Sequence, residues 1–471
     1  MQDRAFALRV LDSLDSPADP AGLARLRDGL VDADLAAPPV ALPDFHLKDD
    51  KEMPSSIAVA TTSTIRPTLT SASVNCGMTL IATDLPRPDE VAVTDFYRRV
   101  RERYPYPPTY RRDLTGEEVV QCAARGGDYA VERFGVDPAE LERVEERGRL
   151  DVERYGGLER VRRELPWSVL QLSRIRFGTI GPSNHFAELQ EVEEILDGRA
   201  AELLGVRLGQ ITLQFHGGGG SLPGELGMLF GRRKRYPRPV QIQMAVQKPL
   251  YHLGRARSID ELRRRRALYF SPEYPPVDRD SAEGERLLLA NAMAMNYGFA
   301  FRLSTYASLQ TLFRQAFGAT ETRIVVDSPH NSIYEEEING ESALVHRHNS
   351  ARAYPAARFP DHPIFGEIGQ PLLLPGTNRT SSYLCVAGDQ AATSLYSASH
   401  GAGANVKTFV QRGLSKPDPR GRMTLRFGYS RPEPTAVPQL DDRGVDDVIQ
   451  VLTHHGVVRP VARLRPFAVL N

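Results

Sequence analysis

Apolar positions in the first 84 residues follow two different spacings. The first forty residues hold two stripes at helical spacing, one with Phe6, Val10, Leu11 and Leu14 and one with Leu23, Leu26 and Leu30. The stripes predict two short amphipathic helices on either side of a Ser-Pro-Ala-Asp-Pro break. From 41 to 84, short apolar runs alternate with Pro-, Ser- and Thr-rich stretches, which favours strands and loops. We therefore expect a helical extension at 1–40 that packs on a domain at 41–471.

The rest of the chain alternates between helical and strand-like patterns. Residues 91–164 carry Arg, Glu and Leu at helical spacing, with a helix start at Asp137-Pro138, and predict a helical layer over the sheets. Residues 282–317 are rich in Ala and Leu and predict one long helix, broken near Gly298. Strand-like runs lie at 175–180, 210–215, 240–246, 324–326, 371–375 and 382–386. The expected fold is α+β, with central β-sheets and helices on the outside.

Composition limits the class of protein. The chain has 471 residues, of which 41% are hydrophobic and 25% are charged, as in soluble globular proteins. No apolar run approaches the roughly 18 residues of a membrane span, and the first residues lack the layout of a signal peptide. Three dispersed cysteines are too few for a disulfide framework. We expect a cytoplasmic protein, in a reducing compartment and without a membrane partner.

The formal net charge is zero, so a polyanionic partner has to be bound by local clusters of basic residues. Two such clusters exist, Arg232-Arg233-Lys234-Arg235 with Arg238 nearby, and Arg263 to Arg266. A run of arginines is more often a solvated face than a nucleic-acid contact. Neither cluster alone therefore predicts RNA binding.

Candidate chemistry is concentrated in five segments that place a cysteine or a histidine beside small residues. They contain Cys76, His185, His216, His330 and His400. A thiolate and neutral imidazoles suit a divalent transition metal, and neighbouring glycines let the phosphates of a ligand approach the backbone. The pattern predicts a metal and phosphate site. Because its members are spread from 76 to 400, the site draws on nearly the whole chain, which favours one integrated domain with the metal in a cleft.

Three of these segments also have a simpler interpretation. Cys76 alone is typical of a small buried hydrophobe, and His185 is typical of a histidine on a strand surface. In an extended segment, His185 and Glu188 point to opposite sides unless the backbone bends. The glycines that follow His216 form either a flexible turn or a row of amides that lines an anion.

His400 is either a turn histidine or a nucleophile. Gly401 and Gly403 leave its imidazole unshielded, and an unshielded neutral imidazole can attack phosphorus. The following residues predict a helix from Asn405 to Gln411 whose free amides attract phosphate. Both features favour phosphoryl chemistry at this position.

Nine short strings stand out between residue 41 and the end of the sequence. They are Leu42-Pro-Asp44-Phe-His46, Asn75-Cys76-Gly77, Gly178-Thr-Ile-Gly-Pro-Ser-Asn184-His185-Phe186, His216-Gly, Asp327-Ser-Pro-His330-Asn331, Val345-His-Arg, Gly369-Gln-Pro, His400-Gly-Ala-Gly and Val461-Ala-Arg-Leu-Arg-Pro. In order and spacing they resemble the RtcB-type RNA-splicing ligases. One such string is weak, but nine in sequence over about nine tenths of the chain are specific.

The resemblance implies a mixed α/β fold particular to this family and an enzyme that depends on GTP and on one or two manganese ions. Such an enzyme joins an RNA 3′-phosphate or 2′,3′-cyclic phosphate to a 5′-hydroxyl, and an archease-like protein is an expected helper. His400 is implied as the nucleophile that takes GMP from GTP. Cys76 is implied as a ligand shared by two metals, with His185 on one and with His216 and His330 on the other.

The resemblance also implies nucleotide contacts at Asn184, Glu188, Asn331, Gly376, Thr377, Gly401 and Gly403. The chain departs from the family where the family has aspartate, arginine, lysine, arginine and lysine; here stand Ser73, Gly220, His348, Ala404 and Asn471. Each lost charge-assisted contact costs on the order of 1.5 to 3 kcal/mol. The residues expected to contact phosphate or RNA instead are Arg379, Lys407, His348, Arg232 and Arg233.

Three functions follow as hypotheses. The leading one is an RNA ligase that works through a histidine-bound GMP. The second is the same first step with another phosphate or carboxylate acceptor, or with another nucleotide, because the nucleotide and substrate contacts differ from the family pattern. The third is a catalytically silent RNA- or nucleotide-binding relative. His400 together with four metal ligands argues against the third, since binding alone requires no nucleophile.

Overall fold

The structure is a computed structural model, and it describes residues 6–48, 51–107, 113–175, 177–178, 180, 185–231, 236–271, 275–431 and 433–471. In chain order the strands are β1 (Arg9–Val10), β2 (Val40–His46), β3 (Ser55–Thr61), β4 (Thr64–Ile65), β5 (Gly77–Thr83), β6 (Phe186–Ile195), β7 (Ile211–Gly217), β8 (Val277–Asp278), β9 (Thr322–Pro329), β10 (Asn331–Ile338), β11 (Glu341–His348), β12 (Ser350–Arg352), β13 (Pro371–Leu374), β14 (Ser382–Ala387), β15 (Ser397–Ser399), β16 (Met423–Phe427), β17 (Thr435–Pro438) and β18 (Val458–Leu470). The helices are α1 (Pro20–Asp28), α2 (Glu90–Arg103), α3 (Gly116–Arg125), α4 (Gly127–Phe134), α5 (Gly157–Glu164), α6 (Trp167–Ile175), α7 (Gly198–Leu204), α8 (Leu222–Phe230), α9 (Arg238–His252), α10 (Ile259–Phe270), α11 (Ala282–Phe317), α12 (Phe365–Ile368), α13 (Gly403–Gln411) and α14 (Arg443–His454).

Two sheets form the centre of the molecule. The larger runs in the order β13-β14-β18-β6-β7-β5-β9, with β16 joined to β18 and β17 to β16. The smaller runs β1-β2-β3-β11-β10. Strands β9 and β10 belong to different sheets and are separated by His330 alone. His330 therefore lies at the junction of the two sheets, and the mixture of strands and helices confirms a single α+β domain.

Apolar side chains cover both faces of the larger sheet. On one face, Ile81, Leu213 and Phe215 pack into the core cluster that contains the buried side of α11. On the other face, Met78 and Leu80 belong to a second cluster. Because both faces are buried, side chains of this sheet reach a ligand mainly at the ends of its strands.

The long helix α11 passes beneath the sheet and is buried over most of its 36 residues. Its bounds agree with the predicted 282–317, but the expected break near Gly298 is wrong. A Cβ on Gly298 would lie 2.7 Å from the Asn75 side-chain nitrogen. The glycine is therefore required by the close approach of the segment that carries Cys76, and the helix continues through it.

Most other predicted elements are confirmed. Strands β2 to β5 lie in the predicted strand and loop region, helices α2 to α5 lie within or at the edge of 91–164, and β7, β9, β13 and β14 lie at predicted strands. Asp137 accepts the backbone N–H of Ala139 and begins a short 3₁₀ helix, Pro138–Arg143. The second N-terminal stripe forms α1.

The first N-terminal stripe does not form a helix. Instead, β1 pairs in parallel with β2, through bonds that include Arg9 N–H to the Pro39 carbonyl. Leu11 is buried, whereas Leu14 is 98% exposed, so the stripe does not share one buried face. This stretch therefore pairs through its backbone with the edge of the smaller sheet and does not form the helix that its spacing predicts. The division into 1–40 and 41–471 stays a prediction.

Two predicted strands are wrong. The run 240–246 alternates apolar and polar residues, but it lies in helix α9, which begins after Pro237 and has Pro239 in its first turn. Proline at this position favours a helix start. The run 175–180 begins with Ile175, the last residue of α6, and continues with a turn at Phe177 and Gly178. Ile180, the remaining described residue of the run, belongs to no strand.

Among the described residues, no helix is long and apolar enough to cross a membrane.

Candidate metal centre

Four of the predicted ligands lie at the same edge of the larger sheet. Strands β6, β7, β5 and β9 are neighbours and antiparallel, so the starts of β6 and β5 meet the ends of β7 and β9. His185 precedes β6, Cys76 precedes β5, His216 lies near the end of β7 and His330 follows β9. Sheet order therefore brings together residues that are far apart in the sequence.

The ligand atoms of these residues point at one another. Cys76 Sγ lies 3.0 Å from His216 Nε2 and 3.5 Å from His185 Nε2. His216 Nε2 lies 3.3 Å from His330 Nε2. Around a divalent transition metal, bonds of about 2.0–2.3 Å to nitrogen and sulfur separate neighbouring ligand atoms by roughly 3.0–3.6 Å. The donor set fits a metal ion, and Cys76, His216 and His330 are all buried.

Burial keeps the imidazoles in the form that binds a metal. It lowers the pKa of His185 to about 4. Burial, followed by repulsion from His400, lowers the pKa of His330 well below its usual range. Burial raises the pKa of the Cys76 thiol to about 11, against the opposing effect of the Gly219 backbone amide and Arg302. His185 and His330 are therefore neutral near pH 7, as metal ligands must be.

A fully buried ion pair holds the ligand-bearing segments from beneath. Arg302, on α11, donates from Nε and Nη2 to the two carboxylate oxygens of Asp327, each at 2.7 Å. It also donates to the backbone oxygen of Asn75 at 2.8 Å and to its side-chain oxygen at 3.0 Å. A longer bond of 3.4 Å reaches the Gly217 carbonyl. One guanidinium thus connects the segments of Cys76, His216 and His330.

The glycines that follow His216 are tightly packed. A Cβ on Gly219 would lie 2.6 Å from Cβ of Cys76, and one on Gly218 would lie 2.7 Å from Arg302 Nη1. Close approach to the metal ligand and its support is therefore the reason for glycine at these two positions. The interpretation as a flexible turn is wrong for them.

His400 lies beside the ligand group. Its ring centroid is 4.5 Å from that of His330. Its Nδ1 is buried and has no hydrogen-bond partner within the described part of the chain. Burial, followed by repulsion from His46, lowers the pKa of His400 to about 3. The imidazole is therefore neutral, and a neutral imidazole with an unpaired nitrogen can act as a nucleophile.

Asp44 occupies the start of the helix that follows His400. Its Oδ1 accepts the backbone N–H of Asn405 at 2.7 Å, and burial raises its pKa to about 7. The expectation that the amides at the start of α13 are free for phosphate is therefore wrong for Asn405. Asp44 lies in one of the nine strings, but no role could be predicted for it from the residue pattern.

Residues 34–471 match the sequence model of the family described as tRNA-splicing ligase RtcB. The chain belongs to the RtcB family. The match covers the larger sheet, the smaller sheet except for β1, and all the residues of the candidate metal centre, so the predicted resemblance is confirmed.

Individual relatives are distant. A tRNA-splicing ligase RtcB of Pyrococcus abyssi is 27% identical over 418 residues, which cover 84% of this chain and 42% of that relative. The corresponding protein of Aeropyrum pernix is 26% identical over 427 residues, covering 84% and 79% of the two chains. That of Pyrobaculum aerophilum is 25% identical over 470 residues, covering 92% and 87%. The chain spans about two fifths of the length of several RtcB relatives that it matches.

The structure places Asn331 and Glu188 in polar clusters. The Asn331 side chain donates to the Ser73 carbonyl at 3.1 Å and accepts the backbone N–H of Asn349 at 2.9 Å. This amide therefore joins the loop before Cys76 to the residue that follows β11. Glu188 is buried opposite Gln214 and accepts a hydrogen bond of 2.8 Å from Gln190.

The residues predicted to contact phosphate or RNA differ in how deeply they are buried. His348 is buried at the end of β11, and burial, followed by repulsion from Lys51, lowers its pKa to about 3. Lys407 is exposed on α13 and close enough to His46 to lower the pKa of that histidine. Arg379 donates from Nε to the Pro438 carbonyl at 2.8 Å, at the end of β17.

The remaining candidates with described positions lie in two loops and at the start of α13. Thr377 N–H donates to the Thr380 hydroxyl at 2.8 Å, and Gly376 N–H to the Ser382 hydroxyl at 3.3 Å. Gly401 packs against Pro375, whose carbonyl would lie 3.3 Å from an added Cβ, which links this loop to His400. Gly403 opens α13 and has space around it. Asn184, Arg232 and Arg233 lie outside the described residues.

Glu188 provides a test of site electrostatics. Burial raises its pKa to about 8, so the folded protein keeps a proton that the unfolded chain releases above its usual pKa. The unfolded state then binds fewer protons, and stability falls as pH rises through this window. Relative to the natural protein, Glu188→Gln should gain up to about 3 kcal/mol between pH 5 and pH 7.5. Urea unfolding at the two pH values measures this gain.

Glu191→Gln is the matched control, because Glu191 lies on the same strand and is partly exposed. We expect its stability difference from the natural protein to change little with pH. A Glu188→Gln difference that is equally independent of pH would show that Glu188 is ionised in the folded protein.

Proposed function

We propose that the protein is an RNA ligase that activates an RNA 3′-phosphate by nucleotidyl transfer through His400. One observation carries the proposal: the ligand atoms of Cys76, His185, His216 and His330 converge beside the neutral imidazole of His400. Membership of the RtcB family supports the same activity. A protein that only binds RNA has no need of an unpaired imidazole next to a metal centre.

The metal would be held by Cys76, His216 and His330, with His185 beside Cys76 as a further ligand. A divalent ion supplies Lewis-acid neutralisation of phosphate charge. Family resemblance points to manganese. The metal-ligand group found among the described residues contains no carboxylate, and thiolate with imidazole also suits zinc, cobalt or iron. Metal identity is therefore part of the test below.

The covalent steps use His400. Its imidazole nitrogen forms a bond to the α-phosphorus of GTP while the bond to the pyrophosphate oxygen breaks, which leaves GMP on the histidine and releases pyrophosphate. An oxygen of the RNA 3′-phosphate then attacks this phosphorus, and the nitrogen–phosphorus bond breaks. Finally, the 5′-hydroxyl attacks the activated 3′-phosphate and GMP leaves. A 2′,3′-cyclic phosphate is first opened by water to the 3′-phosphate.

Other side chains of the site position these groups. Burial keeps the leaving imidazole of His400 neutral, so the histidine is ready for another cycle. Lys407 and His46 place positive or protonatable groups on the same side of the site. Arg426 donates to the side-chain oxygen of Asn471 at 2.8 Å, and so puts a cation beside the position where the family has lysine. We propose that these residues, rather than the family arginines, meet the nucleotide and RNA phosphates.

Nucleotidyl transfer is tested with GTP labelled on its α-phosphate in the presence of manganese. The expected result is an acid-labile, alkali-stable label on His400. His400→Gln should remove the label, whereas His454→Gln, which changes a histidine of α14 away from the site, should keep it. Absence of label with every metal and nucleotide tried contradicts the proposal.

Two further comparisons separate the alternatives. Repeating the labelling with ATP, CTP and UTP tests the hypothesis of another nucleotide. Adding RNA with 3′-phosphate and 5′-hydroxyl ends tests the acceptor: a joined product supports an RNA ligase. Label that is stable to this RNA supports transfer to a different phosphate or carboxylate.

A further inference from the structure

Helix α9 has an exposed apolar face. Its buried residues include Met244 and Tyr251, which pack into the core. On the outer side, Ile242, Val246 and Leu250 are 70%, 58% and 66% exposed. Their spacing of four residues places them in one ridge along the helix. A soluble protein rarely leaves such a ridge without a partner.

Helix α10 continues this apolar surface. Ile259, Leu262 and Phe270 are exposed and recur at helical spacing on one stripe of the helix. Phe270 also lines a groove of about 460 Å³ between the two helices, together with Ala245 and Pro249 of α9. Of the fifteen large hydrophobic side chains exposed in the described part of the chain, six lie on these two helices. The apolar surface is therefore concentrated and grooved.

The same two helices carry a local excess of positive charge. Residues 236–271 contain eight Lys and Arg but two acids, in a chain whose formal net charge is zero. Arg263, Arg264 and Arg266 are exposed on α10. Between Pro239 and Gln247, by contrast, α9 has no charged residue. The exposed positive charge therefore lies on α10, next to a helix whose apolar ridge carries no charge between Pro239 and Gln247.

The charge and the side-chain chemistry of α9 and α10 indicate which kind of molecule binds this surface. A second copy of this surface would bring arginines against arginines, which disfavours self-association. The ridge on α9 is aliphatic and offers no group on which an RNA base stacks, so stacking contacts with RNA would be confined to α10 and would leave the ridge uncovered. A membrane-binding helix usually has basic residues along its own polar face. The polar residues of α9 near the ridge are mainly glutamines. An apolar ridge with basic residues on one side is complementary to an amphipathic helix with one acidic edge.

We propose that the surface formed by α9 and α10 docks an acidic amphipathic helix of another protein. The partner's apolar face packs along Ile242, Val246 and Leu250, and its acidic edge faces Arg263 and Arg264. The proposal is independent of the chemistry assigned to His400 and concerns what the protein assembles with.

The test uses a synthetic helical peptide with leucine at every third and fourth position and glutamate along one edge. Its fluorescence anisotropy is measured with the full-length protein. The glutamate peptide should bind at least tenfold more tightly than a lysine version or a version with serine in place of leucine. Val246→Glu and the double change Arg263→Glu with Arg264→Glu should each weaken binding at least tenfold.

Val91→Glu is the matched control, since Val91 is 79% exposed on α2, away from this surface. It should leave peptide binding unchanged, and none of the variants should alter labelling of His400. Equal binding of the glutamate and lysine peptides overturns the proposal. The proposal is also overturned if no peptide binds and Val246→Glu instead removes binding to phosphatidylserine vesicles, binding to 3′-phosphate RNA, or self-association in sedimentation.

Discussion

Replacing Arg302 by lysine should weaken metal binding by about 10–100-fold, as loss of a residue that orients metal ligands does. It should also lower the free energy of unfolding by about 2–3 kcal/mol, because charge-assisted hydrogen bonds are lost. Lysine keeps the charge but cannot reach both oxygens of Asp327 and both oxygens of Asn75 at once. The segments that carry Cys76 and His330 then lose their common support. Metal titration and urea unfolding measure the two effects.

The pair of Arg347 and Glu336 offers a matched control, because it is as completely buried as the pair of Arg302 and Asp327. Arg347 supports strand β15, which precedes His400, through a hydrogen bond of 2.8 Å to the Ser397 hydroxyl. Arg347→Lys should therefore cost a similar free energy of unfolding and leave metal affinity unchanged. Equal metal affinity in the two lysine variants would leave Arg302 as a structural residue alone.

The candidate ligands could be singled out from the sequence because their pattern is local. A cysteine or histidine next to small residues can be recognised without knowing where the segment lies in the fold. Their convergence could not be read in the same way, because it depends on the order β6-β7-β5-β9, which is set by long-range pairing. Only the resemblance to a known family supplied that information in advance.

Arg302 shows what the residue pattern missed. It is an arginine between Phe301 and Leu303, in the long middle part of α11 (287–313) that holds no other charged residue. A charge in such a position is stable only if it is paired, so the sequence contained a sign of a buried partner. The identity of that partner, Asp327, could not be inferred, because the residues belong to different elements.

Helix α9 shows how a local pattern can mislead. The alternation of Val240, Ile242, Met244 and Val246 has the period of a strand with one buried face. In the helix, Met244 is buried while Ile242 and Val246 are exposed. The apolar residues that imitate a strand are therefore the ones proposed to contact a partner, and a prediction that assumes burial of every apolar residue fails here.

Cys76→Ala should reduce metal affinity by more than about 100-fold, because it removes a direct ligand, whereas residues around the ligands contribute about 10–100-fold. Cys385→Ala is the matched control, since both cysteines are buried and Cys385 lies in β14, outside the ligand group. With cobalt, the natural protein and Cys385→Ala should show a thiolate-to-metal absorption band that Cys76→Ala lacks.

Parallel titrations with manganese, zinc and cobalt rank the metals by affinity. A centre that prefers zinc or cobalt would follow from its thiolate and imidazole donors, whereas unchanged affinity in Cys76→Ala would remove the sulfur from the proposed centre.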